Sequence, residues 1–132
     1  MSTPLEIEDS ANICLSYVEK KALLVSEYQN KPCGFANLYL QHFEKFKHTC
    51  LFVIVIEKEY RNKGIGTVLL EELIKLAKEV HNIEILHLEV YDGNPAIHLY
   101  EKAGFKKYGY QKKFIKENSS YRGKILMQKY LT

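Results

Sequence analysis

Hydrophobic and polar residues recur along the chain with two different periods, which predict strands in some segments and helices in others. Residues 23–28 and 34–40 are strand-like runs separated by the polar residues 29–32, a pattern typical of a hairpin. Residues 50–56 are continuously apolar and rich in β-branched side chains, as in a strand covered on both faces. We expect this run to be the core strand of a sheet.

A helical period follows the apolar strand. Residues 64–80 carry apolar side chains at helical spacing with charged residues between them, which predicts an amphipathic helix packed on the sheet. Residues 83–90 then alternate with the period of a strand. The two faces of this strand carry Leu86, Leu88 and Val90 and, opposite them, Ile83, Ile85, His87 and Glu89.

A second, shorter helix is predicted over residues 95–103 from the residues at its ends. Asn94 is a good N-cap, Pro95 suits the first helical position, and Gly104 provides a C-terminal stop. The strand, the long helix and the next strand therefore form a unit whose two strands run parallel.

The remaining segments complete a mixed sheet. Residues 105–115 and 124–131 predict two more strands, and residues 11–20 allow a short helix. Antiparallel hairpins on both sides of the parallel pair give an α/β (α+β) sandwich, a mixed sheet of about six strands flanked by helices. A chain of 132 residues is expected to form a single domain, residues 1–132.

Composition narrows the classes of function. Hydrophobic residues make up 46% and charged residues 27%, as in ordinary globular proteins. The net charge of +3 comes from 19 basic and 16 acidic residues spread along the chain, so nucleic acid is not an expected partner. The most basic window, residues 106–116, is interpreted as an exposed strand rather than an anion-binding surface.

Cysteine, histidine and apolar content indicate a cytoplasmic protein without a metal. Cys14, Cys33 and Cys50 form no disulfide framework and no Cys-x-x-Cys pair, and the histidines share no metal-ligand spacing. The N-terminus lacks the pattern of a signal peptide, and the longest apolar run, residues 51–56, is too short to span a membrane. We therefore expect no membrane partner.

A glycine-containing segment, residues 57–67, lies between the apolar strand and the long helix. The first turn of a helix has unpaired N–H groups that bind phosphate, and Arg61 and Lys63 add positive charge. The dinucleotide and nucleoside-triphosphate loops do not fit, because Leu69 replaces the third glycine of the former and Gly-Lys-Ser/Thr never occurs. The alternative is that Gly64 and Gly66 only start a helix; the flanking strand, helix and basic residues favour phosphate.

Two motifs resemble those of the GNAT superfamily of acetyltransferases. Arg61-x-x-Gly64-x-Gly66 after an apolar strand resembles its signature, and the string from Asn94 through Leu-Tyr100 to Gly-Phe105 resembles its second motif. The similarity covers roughly residues 23–131 and implies a GNAT-like acyl-CoA N-acyltransferase fold, with a shortened N-terminal segment at residues 1–22. It also implies direct transfer from acetyl-CoA, in a ternary complex, to a primary amine of a small molecule or of a protein N-terminus.

The resemblance also implies where acetyl-CoA binds. The pantetheine arm is expected beside the apolar strand, the pyrophosphate on the glycine segment, and the acetyl group where the two parallel strands separate. The implied cofactor-binding residues are Val55, Ile56, Arg61, Asn62, Lys63, Gly64, Ile65, Gly66, Thr67, Asn94 and Tyr100.

The implied catalytic residues are Tyr100 and Glu89. Tyr100 matches an acid that protonates the departing thiolate, and Glu89 matches a base that removes an amine proton through water. Tyr100 has the alternative of ordinary core packing, and Glu89 that of a solvated residue, with ordered water as the base. His87 shares a face with Glu89 and is interpreted as a packed residue.

Other functions and the oligomeric state stay open from the sequence. Only about twenty residues precede the first predicted strand, which leaves an open acceptor cleft or a homodimer as expectations. A non-catalytic CoA-binding sensor or subunit is the second hypothesis. Nucleic-acid binding by residues 106–116 is the third and ranks last.

Overall fold

The computed structural model describes residues 3–6, 13–17 and 22–132. The strands and α-helices follow one another along the chain in the order β1 (Thr3–Glu6), β2 (Ile13–Tyr17), β3 (Leu23–Tyr28), β4 (Lys31–Tyr39), β5 (Thr49–Ile56), α1 (Ile65–Glu79), β6 (Ile85–Tyr91), α2 (Ala96–Lys102), β7 (Lys106–Glu117) and β8 (Ser120–Tyr130). Short 3₁₀ helices cover Glu44–Phe46 and Lys58–Tyr60.

The described strands form one mixed sheet in the order β1-β2-β3-β4-β5-β6-β8-β7. The pair β5–β6 is parallel, and the other neighbouring strands are antiparallel. The predicted mixed sheet with a parallel pair at its centre is therefore confirmed. Six of its strands follow residue 22, as expected, and two more precede it.

The short helix expected over residues 11–20 is wrong for the part of this stretch that the structure describes. Residues 13–17 form β2, which pairs with β3 on one side and with β1 on the other. Pairing to the edge of β3 provides backbone hydrogen bonds that outweigh any weak local preference for a helix. Residues 11, 12 and 18–20 lie outside the described residues.

The helix α1 provides most of the helical side of the core. Its buried residues recur at the predicted spacing and contact β3, β4 and β5. They are Ile65, Val68, Leu69, Leu70, Leu73, Leu76 and Ala77. Val80, the last apolar residue of the predicted helix, follows its end and is 47% exposed.

The strand β5 is covered less completely than its sequence predicts. Cys50 and Phe52 are buried in the same core cluster as α1 and as Tyr100 of α2. On the opposite face, Val55 is 47% exposed beside Phe35, its partner on β4. Both described helices thus contribute to one side of the sheet, and an apolar strip is left on the other. Among the described residues, no helix is long and apolar enough to cross a membrane.

We expect Leu69→Ala to lower the free energy of unfolding by about 2–5 kcal/mol, because the side chain is fully buried and its loss leaves a cavity. Urea unfolding followed by circular dichroism measures the change. The control is Val80→Ala, at the exposed apolar residue directly after the end of α1, for which a loss of about 0.5 kcal/mol or less is expected. Equal losses for the two variants would contradict this account of the core.

Candidate functional site

A cleft opens where the two parallel strands separate. Within the fully described strands β5 and β6, the pairing joins residues 49–51 to residues 85–87 and goes no further. The strands continue to Ile56 and Tyr91 without pairing to each other. The cleft between their carboxyl ends has a volume of about 680 Å³. Ligands in open α/β sheets bind at this kind of edge.

Four parts of the chain line the cleft: the end of β5, the loop into α1, the segment from the end of β6 through α2, and one residue of β8. From the predicted set the lining includes Val55, Ile56, Arg61, Asn62, Gly64, Gly66, Thr67, Asn94 and Tyr100. The other lining residues are Ile54, Tyr60, Tyr91, Gly93, Pro95, Ala96, Leu99 and Arg122. The structure therefore brings the two sequence motifs, which are separated by 28 positions from Gly66 to Asn94, to one cavity.

The glycines of the loop meet two separate steric requirements. Gly64 has φ of 80°, a left-handed conformation that glycine adopts at little cost. Gly66 lies close to its neighbours: an added Cβ would be 3.2 Å from Leu99 Cδ2 and 3.6 Å from Ile56 Cδ1. The spacing of the two glycines thus follows from the turn into α1 and from the close approach of α1 to α2.

The loop presents positive charge and hydrogen-bond donors to the cleft. Val68 N–H donates to Gly64 O, so the N–H groups of residues 65–67 precede the first bond of the helix and have no partner within it. Arg61 Nε donates to Ile56 O at 3.3 Å, which anchors the guanidinium at the end of β5. The resulting concentration of donors and positive charge suits an anion.

Three predicted loop contacts need adjustment. The backbone N–H of Arg61 donates to Lys58 O, so the amides available to an anion begin at Asn62. Lys63 Nζ lies 5.5 Å from the centre of the Tyr28 ring, and Lys63 is not among the lining residues. The side chain of Ile65 is 1% exposed and belongs to the core, which leaves its backbone N–H as its possible contribution.

Asn94 lies opposite the loop and acts as a helix cap. Its Oδ1 accepts from the N–H of Ala96 at 2.9 Å, and its backbone O accepts from Ile97 N–H. The cap that the sequence predicted is therefore present, although α2 begins at Ala96, one residue later than expected. Because Asn94 also lines the cleft, capping and ligand contact are compatible at this residue.

Tyr100 joins the cleft to the core. Its ring packs edge-to-face against Phe52 and Phe105, with centroid distances of 6.1 Å to each, and the residue is 7% exposed. Burial raises the pKa of the Tyr100 hydroxyl above its ordinary value, so this group keeps its proton at neutral pH. Tyr100 is therefore a residue of the core that also lines the cleft.

Glu89 occupies a different environment from the one expected of a free base. Its side chain is 46% exposed and accepts a hydrogen bond of 3.1 Å from Lys124 Nζ, whose own side chain is 12% exposed. Glu89 is not among the residues that line the cleft. On the same face of β6, burial lowers the pKa of His87, which favours the neutral imidazole.

Several lining residues were missed by the sequence analysis. Tyr91 and Gly93 lie between the end of the alternating strand and Asn94. Their position next to a predicted ligand-binding residue could have identified them as lining residues. Arg122 of β8 also lines the cleft, and no local pattern in the sequence marks it.

Neither of the two cysteines whose side chains the structure describes is an activated nucleophile. Cys33 and Cys50 are buried, and desolvation raises the pKa of both thiols, that of Cys50 to about 11. The described residues hold no group of three or more His, Cys, Asp or Glu side chains arranged to bind a metal.

Comparisons of the sequence and of the structure with known proteins agree on one family. The family model described as Acetyltransferase (GNAT) family matches residues 4–105. An N-alpha-acetyltransferase of Sulfurisphaera tokodaii is 47% identical over 75 residues, which are 55% of this chain and 44% of the relative. The match thus spans less than half the length of that protein.

Solved structures show the same fold. A GNAT-family acetyltransferase from Streptococcus pneumoniae has a TM-score of 0.78 at 30% identity, covering 92% of this chain and 68% of that one. The protein yncA of Salmonella typhimurium, solved with its cofactor acetyl-CoA, has a TM-score of 0.76 at 23% identity, covering 83% and 64% of the two chains.

We expect Cys50 to resist alkylation by iodoacetamide in the folded protein. A rise of the pKa from 9.0 to about 11 lowers the thiolate fraction at pH 8 by about 100-fold. Peptide mapping by mass spectrometry measures the rate at Cys33 and Cys50 separately, and the same protein in concentrated urea is the control. Similar rates in the two states would contradict the buried, inert thiols described here.

Proposed function

The chain belongs to the GNAT acetyltransferase family, and from this membership we propose that it transfers the acetyl group of acetyl-CoA to a primary amine. The observation that carries the proposal is the single cleft that unites the anion-binding loop with Tyr100. The favoured acceptor is the α-amine of a polypeptide, because the relative from Sulfurisphaera tokodaii is an N-alpha-acetyltransferase.

The cleft fits acetyl-CoA as the donor substrate. The pyrophosphate is assigned to the start of α1, where Asn62, Gly64 and Thr67 line the cleft and the guanidinium of Arg61 stands beside them. The pantetheine arm is assigned to the edge of β5 beyond residue 51, where the strand is not paired to β6. This arrangement directs the thioester towards the point where β5 and β6 separate.

Tyr100 is assigned the role of acid. The amine nitrogen attacks the carbonyl carbon of the thioester, a C–N bond forms, the C–S bond breaks, and the departing sulfur takes the proton of the Tyr100 hydroxyl. The raised pKa of this hydroxyl keeps the proton in place at neutral pH, and the rigid packing against Phe52 and Phe105 fixes its direction. The amine proton leaves through water, with Glu89 as its final acceptor.

Transfer is proposed to be direct, with both substrates in the cleft together. A covalent acetyl-enzyme would need an activated nucleophile, and the buried thiols Cys33 and Cys50 have raised pKa values. Lys124 already donates to one oxygen of the Glu89 carboxylate, and Glu89 does not line the cleft. The role of Glu89 as the final proton acceptor therefore requires a water molecule between its carboxylate and the amine.

We expect a Gly64→Glu/Gly66→Glu variant to lose acetyl-CoA affinity by about 100-fold or more in calorimetry. Two carboxylates would face the pyrophosphate, and the new side chains would strain the turn at residue 64 and meet Leu99 at residue 66. Gln41→Glu/Thr132→Glu, which adds the same charge at two other exposed residues, is the control and should bind as the wild type does. An amine panel in the same samples tests turnover. Tight binding without turnover on any amine would favour a non-catalytic CoA-binding module, and no binding by the folded wild type would reject the proposal.

Tyr100→Phe should lower kcat by about 100-fold, since the ring packing is kept and the proton donor is lost. Acetyl-CoA affinity should change by less than about threefold, which separates a lost proton donor from a damaged fold.

The pH profile provides a second readout of Tyr100. Because the pKa of Tyr100 is raised above 10, its hydroxyl stays protonated up to that pH. Ionisation of Tyr100 should therefore cause no fall in the wild-type rate below pH 10. Unchanged turnover in Tyr100→Phe would remove Tyr100 from the mechanism.

A further inference from the structure

The connection between β6 and α2, residues 91–96, forms one wall of the cleft. All of its residues except Asp92 line the cavity. Within the connection, the N–H of Asn94 donates to Tyr91 O and closes a turn in which Gly93 has φ of 79°. An added Cβ at Gly93 would meet no atom within 4 Å, so no neighbouring group supports the turn at that residue. The position of this wall must therefore be fixed by bonds at its other residues.

Strand pairing supports the connection from one side only. On the side of β5, pairing to β6 ends at residue 87. On the other side, β8 pairs with β6 as far as Tyr91. One further bond, from the N–H of Asp92 to Gly123 O at 3.1 Å, extends this ladder into the connection. The wall is thus attached to the hairpin of β7 and β8.

Tyr110 of β7 adds a side-chain bond at the same residue. Its hydroxyl donates to Asp92 Oδ2. This hydrogen bond raises the pKa of the Tyr110 hydroxyl, so the group keeps its proton and remains a donor at neutral pH. A carboxylate is also a stronger acceptor than a neutral oxygen. Asp92 is therefore bonded to both strands of the hairpin, to β8 through its backbone and to β7 through its side chain.

The place of the Tyr110 ring depends on the absence of a side chain at Gly123. In the register of the hairpin Tyr110 pairs with Ile125, two residues from Gly123, so the ring and the glycine share one face. An added Cβ at Gly123 would overlap the ring of Tyr110. Gly123 does not have a positive φ, so the glycine here makes room for the ring and does not serve a turn. Lys107 Nζ lies 5.1 Å from the centre of the same ring.

On the premise of the proposed function, we infer that Tyr110 is a positioning residue for acetyl-CoA binding, which acts through Asp92 to hold the wall that contains Asn94. Tyr110 does not line the cleft itself, so its effect on the ligand is indirect. A wall that is already ordered loses little freedom when the ligand binds. Without the bond to Asp92 the wall would have to be ordered by the ligand, and affinity would fall.

Tyr100 is held in place independently of this bond. Its ring packs against Phe52 and Phe105 in the core. Loss of the bond between Tyr110 and Asp92 should therefore weaken acetyl-CoA binding and leave the proton transfer by Tyr100 nearly unchanged. This is the reverse of the pattern expected for Tyr100→Phe, in which kcat falls and affinity is kept.

The bond should matter more for the cleft than for the stability of the fold. Tyr110 is 43% exposed, and a single hydrogen bond contributes little net stability. Its partner Asp92, however, lies between the lining residues Tyr91 and Gly93. A change in the melting temperature of less than about 5 °C is expected when the bond is removed. A loss of ligand affinity alongside it would not follow from a purely stabilising role.

Calorimetry with acetyl-CoA measures the affinity, and initial rates with the amine that gives the highest rate in the panel give kcat and KM. We expect Tyr110→Phe to raise the Kd and the KM for acetyl-CoA by about three- to tenfold, as for the loss of one hydrogen bond to a charged group. The change in kcat should be less than about twofold. The matched control is Tyr108→Phe, which removes the hydroxyl of another exposed tyrosine of β7 and should bind as the wild type does.

Variants of Asp92 separate the hydrogen bond from the charge. Asp92→Ala and Asp92→Asn both remove the carboxylate, but asparagine keeps an oxygen that accepts from the Tyr110 hydroxyl. We expect Asp92→Ala to bind acetyl-CoA about three- to tenfold more weakly than Asp92→Asn. The double variant Tyr110→Phe/Asp92→Ala should bind no more weakly than Asp92→Ala, because both changes remove the same bond.

Gly123→Ala tests the position of the ring without removing either partner of the bond. The new Cβ would displace the Tyr110 ring, so acetyl-CoA affinity should fall as in Tyr110→Phe. Hydrogen–deuterium exchange without ligand provides a readout that needs no acetyl-CoA. Exchange of the amides of residues 91–97 should be faster in Tyr110→Phe than in the wild type and in Tyr108→Phe.

The outcomes distinguish this inference from the proposed function. Wild-type affinity in Tyr110→Phe, or losses that multiply in the double variant, would overturn the inference and leave the acetyltransferase intact. A fall in kcat with unchanged affinity would overturn it as well. Absence of acetyl-CoA binding by the folded wild type would reject the proposed function, whereas faster exchange of residues 91–97 in Tyr110→Phe would still support the positioning of the wall by Tyr110.

Discussion

The early end of the pairing between β5 and β6 is the constraint on which the site depends. Hydrogen bonding stops after residues 51 and 87, so the carboxyl ends of two neighbouring strands have backbone groups that face a cavity instead of each other. Such groups are costly unless water or a ligand satisfies them. The separation thus creates both the space for a ligand and the polar edge along which an extended arm can lie. Two strands paired along their full length would offer neither the space for a ligand nor the polar edge.

Packing on one side of the sheet keeps this separation in a fixed geometry. The start of α1 approaches α2 so closely at Gly66 that an added methyl group would contact Leu99. Phe52, Tyr100 and Phe105 form an aromatic cluster that links β5, α2 and the start of β7. Because these contacts join the walls of the cleft to one core, the loop donors and the Tyr100 hydroxyl keep constant relative positions. A preorganised arrangement of this kind is what electrostatic catalysis needs.

The sequence predicted the elements of the fold well where a local period or cap determined them. The β3 strand, the α1 helix, the alternation of β6 and the cap at Asn94 follow from neighbouring residues alone. Properties that depend on distant segments were not accessible: β2 forms by pairing to β3, the pairing of Glu89 with Lys124 joins residues 35 positions apart, and Arg122 reaches the cleft through the course of the hairpin. Sequence periodicity also could not show that the second face of β5 is only partly covered.

Charge is distributed unevenly along the chain, although the net charge is only +3. Residues 106–130 are consecutive in the sequence and carry eight of the 19 basic residues with a single acid. Folding keeps this stretch together as the two-stranded hairpin of β7 and β8 at one edge of the sheet. Because the Debye length in physiological salt is about 8 Å, a ligand near the hairpin experiences this local cluster rather than the average charge. The edge position of β7 further suits such a cluster, since lysines on an edge strand oppose pairing with another chain.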